Sequence, residues 1–173
     1  MKTIFAVTLL ATASLAAAQG HDVKPADALK EISFITGEWK GKQDFNTNGG
    51  APMVGDIVVH SSAVVGGRYI EELLSTTLPG RKPTDSRHYI GFDPKTNKYK
   101  AWWFNDTGNV PTVLEGVLDG NKLVLLSAPN PNGKGGPVLR ATYDKVSDNA
   151  MNYVLEMQSD GKWTALFHNS FTK

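Results

Sequence analysis

From Gly37 to its C-terminus the chain is a succession of short stretches in which apolar and polar residues alternate, each stopped by a turn signal. Side chains on a strand point to opposite faces in turn, so this period of two marks half-buried strands. The pattern runs over residues 38–45, 56–65, 68–78, 87–92, 99–105, 112–118, 123–128, 138–144, 150–158 and 163–172. The turns between them have apt chemistry. Asp93-Pro94-Lys95-Thr96-Asn97-Lys98 places Pro where φ is fixed near a turn value and Asn where a left-handed residue is needed. Asp119-Gly120-Asn121 and Ser159-Asp160-Gly161-Lys162 read as hairpin turns. A helical period appears once, over residues 25–35, where Pro25 suits a first turn and Leu29, Ile32 and Ile35 form one stripe ahead of Gly37.

About ten short strands joined by tight turns predict an all-β fold. The expected form is a single up-and-down antiparallel barrel with one short N-terminal helix closing an end. A two-sheet sandwich is the alternative, because periodicity does not distinguish closing from stacking. The expected inner faces are Ile57, Val59, Ala63 and Val65, then Met151, Tyr153, Leu155 and Met157, then Trp163, Ala165, Phe167 and Phe171.

Composition removes several functions. The 173 residues contain no Cys, which excludes disulfides, thiolate catalysis and Cys-ligated metal. Lys plus Arg is 18 against 17 Asp plus Glu, a net charge of +1 that gives nucleic acid or an anionic membrane surface little to attract. The first residues are an address. Met1-Lys2-Thr3 is basic, residues 4–18 are apolar or small, and Ala16-Ala17-Ala18 precedes Gln19 as a cleavage pattern. The run is too short for a membrane span, which takes ~20 apolar residues. The expected organisation is a signal peptide over 1–18, a flexible leader over 19–28 and a barrel over 29–173, in a protein exported to the periplasm or beyond.

Specific residues then carry a resemblance. Phe34-Ile35-Thr36-Gly37-Glu38-Trp39-Lys40-Gly41 is similar to the helix and Gly-x-Trp-x-Gly that open many calycin-type barrels. Gly66-Gly67-Arg68-Tyr69, Ile90-Gly91-Phe92-Asp93, Tyr99-Lys100-Ala101-Trp102-Trp103-Phe104-Asn105 and Leu114-Glu115-Gly116 follow in an order that resembles the mostly bacterial domain-of-unknown-function family 1579. The chain departs from the family pattern at Phe92, where Tyr is common, and at Asn105, where Asp is frequent. The resemblance implies a lipocalin-like barrel and carries no established activity.

The candidate site is the barrel interior. A turn that pairs Phe92 with Tyr99 puts His88, Ile90, Phe92, Tyr99, Ala101 and Trp103 on one face, with His88 beside Trp103. His88 is then either a buried histidine satisfied by one hydrogen bond or an imidazole that orients a ligand or ligates haem. The expected ligand contacts are His88, Tyr99, Trp103 and Met157, with Arg68, near Ile70 and Leu74, as anchor for a carboxylate. Trp39 is expected to plug one end beneath the helix. His168, on a late strand, is the second residue weighed for haem, but it alternates with Thr164, Ser170 and Thr172 on a polar face. His60 reads as outward; Arg68 and Glu72 share a face with Ile70 and Leu74, and Arg68 and Glu115 are either inward, meeting a ligand carboxylate or hydroxyl, or outward or structurally paired. Asp44 to Gly49 matches half of a calcium loop but has Gly55 where the bidentate Glu belongs, so it reads as a turn. Gly133-Lys134-Gly135-Gly136 reads as a loop without P-loop spacing. No metal-ligand spacing or nucleophile motif is present. The expected partner is a small apolar or amphipathic molecule with no cofactor. Haem binding, an enzyme using a lumenal His or carboxylate, and a ligandless structural protein are the alternatives. The oligomeric state is not legible.

Overall fold

The computed structural model describes residues 23–46, 51, 53–106, 108, 110–128 and 137–173. The signal-like leader with His21, positions 47–50 of the Asp44 turn, and Gly133-Lys134-Gly135-Gly136 lie outside the described residues. Ten strands follow a short helix, α1 (Pro25–Glu31), and a 3₁₀ turn (Ser33–Ile35). They are β1 (Gly37–Phe45), β2 (Met53–Val64), β3 (Tyr69–Thr77), β4 (Thr84–Asp93), β5 (Lys98–Asn105), β6 (Thr112–Asp119), β7 (Lys122–Ser127), β8 (Val138–Ser147), β9 (Ala150–Ser159) and β10 (Lys162–Thr172). Each strand pairs with the next, and β1 pairs antiparallel with β10, so the sheet is a closed barrel. Closure gives every strand two partners and removes the edges that a sandwich would expose. No helix among the described residues is long and apolar enough to cross a membrane.

Both glycines of Gly-x-Trp-x-Gly have a mechanical reason. Gly37 sits at φ +132, a backbone that side chains with a Cβ rarely adopt. At Gly41 a Cβ would stand 2.2 Å from the Ser170 carbonyl oxygen, across the β1–β10 seam that closes the barrel. Between them Trp39 is 1% exposed and its indole Nε1 donates to the Ile35 carbonyl at 2.8 Å. The helix lays Ala28, Leu29 and, just beyond it, Ile32 and Ile35 onto the same end, all buried. Residues 25–28, where the sequence reading starts its helix, are helical.

Two of the expected inner faces need correction. In β2, Ile57 and Val59 are buried as expected, but the next inward residue is Ser61. Ala63 is exposed, and Val65 lies at φ 52 in the turn after the strand. In β10 the register shifts between Ala165 and Phe167. This bulge reverses the alternation. Phe167 and Phe171 keep the inner face, whereas Ala165 aligns with Glu156 and Trp163 lies outside, its ring 4.2 Å from the Arg140 guanidinium. Met151, Tyr153 and Leu155 are buried, as the alternation of β9 predicts.

Candidate ligand-binding cavity

The helix closes the end where β1 begins. A cavity of about 410 Å³ occupies the lumen toward the other end, where β1 finishes at Phe45. Phe45, Ile57, Leu74, Leu139, Leu155 and Phe167 give it apolar walls. Its floor is polar, and the strand register explains how. Ser61, Glu72, His88 and Trp103 are successive cross-strand partners over β2, β3, β4 and β5. Tyr143, Tyr153, Asn169 and Gln43 form a second row over β8, β9, β10 and β1. The two rows meet across the lumen, where the Tyr143 hydroxyl donates to Glu72 Oε2 at 2.7 Å.

The sequence reading of the β4–β5 hairpin holds. Phe92 pairs with Tyr99 and His88 with Trp103, and the His88 and Trp103 rings stack at 4.9 Å with 25° between planes. Aromatic contacts continue toward the mouth, from Trp103 to Tyr153 at 6.3 Å and from Tyr153 to Phe167 at 6.0 Å. The same Oε2 of Glu72 that takes the Tyr143 hydroxyl faces His88 Nδ1 at 3.3 Å. Glu72 is 2% exposed and His88 7%. A buried carboxylate without donors would be very costly, and these two groups supply them. Burial first, then the Glu72 carboxylate, pushes the Tyr143 phenol well above its ordinary pKa and keeps it a donor. Burial and the same carboxylate raise Tyr153 likewise.

Three buried polar atoms have no hydrogen-bond partner among the described residues: Ser61 Oγ, Trp103 Nε1 and Asn169 Oδ1. Trp103 and Asn169 line the cavity. An unmade buried hydrogen bond costs roughly 1–3 kcal/mol, so this floor is less settled than the helix end.

Of the residues expected to contact a ligand, the fold brings His88 and Trp103 together at the cavity and separates the rest. Arg68 is exposed in the β2–β3 turn, ahead of β3, and does not line the cavity. Tyr99 is buried beneath the helix, where its hydroxyl donates to the Ala28 carbonyl at 2.9 Å. Burial, with the Glu31 carboxylate beside it, pushes that phenol up to about 12. Met157 is half-buried between Leu139 and Thr164 in register and does not border the cavity. His168 pairs in register with Asp44 and Val154, on the face opposite Phe167 and Asn169. His60 is exposed and ion-paired with Glu38, and Glu115 is exposed with Lys98 Nζ at 2.7 Å. No group of three or more His, Asp or Glu among the described residues is arranged to hold a metal ion.

Sequence reasoning left Glu72, Tyr143 and Asn169 out of the site. Each had a signal. Glu72 lies between the apolar Ile70 and Leu74 on one face, Tyr143 shares a face with Leu139, and Asn169 falls between Phe167 and Phe171.

Hollows on the outer wall are of a different kind. One is lined by Val65, Tyr69, Tyr89, Trp102 and Phe104 and opens broadly to solvent. It has none of the buried polar groups of the lumen.

A solved structure supports the architecture. The crystal structure of Rv2717c from M. tuberculosis superposes with a TM-score of 0.65 at 17% identity, covering 87% of this chain and 99% of that one. At that identity the likeness concerns the fold alone. No curated protein matches the chain. The family model described as "Protein of unknown function (DUF1579)" matches residues 24–173, which span α1 and all ten strands, and the chain belongs to that family.

Proposed function

We propose that the protein is an exported binding barrel that holds a small apolar or amphipathic molecule in the lumenal cavity. One observation carries the reading. A space of about 410 Å³ combines apolar walls with a buried polar floor that contains unpartnered atoms. Small-molecule sites have this character, with volumes of roughly 300–1,000 Å³, mostly apolar lining and a few placed polar groups. The reading assigns no haem to His168, which lies on the face opposite the lumen, and gives His88 the role of orienting a ligand. A Soret band in the purified protein would overturn that part.

Tryptophan fluorescence titration with fatty acids, aromatic acids and aromatic alcohols tests the binding reading. Saturable quenching by one class is expected, and it should be lost in Leu74→Trp, which fills the cavity. A flat response to every class, with no co-purified mass by native mass spectrometry, contradicts it. Export rests on the basic start, the apolar run and Ala16-Ala17-Ala18. The intact mass of exported protein should match a chain starting at Gln19, and retained Met1 would contradict export.

A further inference from the structure

The floor of the cavity has a defined polarity. Glu72 is acceptor-only when ionised, so the His88 nitrogen facing it, Nδ1, must carry a proton. A neutral imidazole that donates Nδ1–H to the carboxylate satisfies this contact at 3.3 Å. A neutral ring protonated at Nδ1 keeps a lone pair on Nε2. No hydrogen bond to Nε2 is made among the described residues, and His88 borders the cavity. The ring stacked against it, Trp103, contributes an indole N–H without a partner. The floor therefore presents one acceptor, beside an indole N–H that is itself fully buried.

Charge narrows the ligand further. An ionised Glu72 places a negative charge just behind His88. The other charged side chains bordering the cavity are Arg81 and Asp106, both exposed. A carboxylate ligand at the floor would add a second anion in a low-dielectric setting, with no guanidinium or ammonium among the described floor residues to offset it. A hydroxyl adds no charge, donates through its proton and accepts through its oxygen.

We propose that the cavity floor recognises a neutral hydroxyl group on an apolar ring, a phenol or alcohol, through His88 Nε2, and discriminates against a carboxylate. The proposal rests on the reading of the cavity as a binding site and names the chemistry of its ligand. Glu72 is a positioning residue that fixes the tautomer, and Tyr143 holds Glu72 in place.

Three probes with one ring system separate the possibilities by equilibrium dialysis at pH 7: 2-naphthol, 2-methylnaphthalene and 2-naphthoate. The naphthol should bind about tenfold more tightly than the methyl compound, the factor that one net hydrogen bond supplies. The naphthoate should bind most weakly. Equal affinities for naphthol and methylnaphthalene, or naphthoate as the tightest ligand, would overturn hydroxyl recognition while leaving the cavity a binding site. No saturable binding by any of the three would overturn both readings. Glu72→Gln keeps the shape and removes the negative charge behind His88. Naphthoate affinity should then rise about tenfold, and an unchanged value contradicts the assignment. His88→Phe should erase the difference between naphthol and methylnaphthalene, and a persisting gap contradicts it equally.

Discussion

The two ends of the barrel contain the same kinds of residue and use them differently. Under the helix, Trp39 and Tyr99 are buried and each polar atom has a partner, the indole on the Ile35 carbonyl and the phenol on the Ala28 carbonyl. Toward the mouth, Trp103 and Tyr153 are also buried, yet the Trp103 indole has no partner among the described residues and both rings border an open volume. One end spends its polar groups on tying the helix to the sheet. The other leaves some of them unpartnered among the described residues. A closed up-and-down barrel makes such a division possible, because backbone pairing alone completes the wall and releases part of the interior from structural duty.

The sharpest way to break the comparison is to truncate a tryptophan at the helix end. Trp39→Ala should lose about 3–5 kcal/mol of stability in urea unfolding, from lost burial and an unpaired Ile35 carbonyl. High pH comes next. Tyr99 titrates near 12 in the folded protein against about 10 when unfolded, so its contribution is whole below pH 10 and is lost as pH rises toward 12. Burial raises Tyr143 and Tyr153 in the same direction. Unfolding free energy should fall by on the order of 2–3 kcal/mol over that interval for Tyr99 alone. Phenolate absorbance from these three should appear together with unfolding, and free ionisation in a folded barrel at pH 10 would contradict their burial.

Smaller effects separate the ends more finely. Trp103→Phe should cost less than about 1 kcal/mol, because it deletes an N–H that makes no hydrogen bond, whereas Trp39→Phe should cost about 1–3 kcal/mol. Equal costs would mean that both ends are packed for stability alone. Ser61→Ala removes an unpartnered buried hydroxyl next to Glu72 and should leave stability unchanged or raise it by up to about 1 kcal/mol in the same assay. A clear loss would reveal that the hydroxyl is satisfied.

The sequence made the architecture readable because side-chain alternation and turn chemistry agree along the chain. The Phe92–Tyr99 register followed from Asp93-Pro94 and Asn97, and Asn97 does adopt φ 53. That register placed His88 against Trp103. Local rules failed where the backbone leaves the ladder. Parity could not be carried from β2 into the turn at Val65, Gly66 and Gly67, which all have positive φ, so Val65 was placed on an inner face it does not share, and Arg68 lies exposed in the same turn. Nor could it anticipate the bulge before Phe167, which turns Trp163 outward. The meeting of Glu72 with Tyr143 was not legible for another reason. The two are 71 residues apart, and nothing local shows that two rows of a closed barrel meet across its lumen.

The central claim is that the end away from the helix is the binding end. Intermolecular nuclear Overhauser effects from a bound naphthol probe test it most directly. The account predicts contacts to the rings of His88, Trp103, Tyr153 and Phe167, with none to Trp39 or Tyr99. Contacts confined to Trp102, Tyr89 and Phe104 on the outer wall would contradict it.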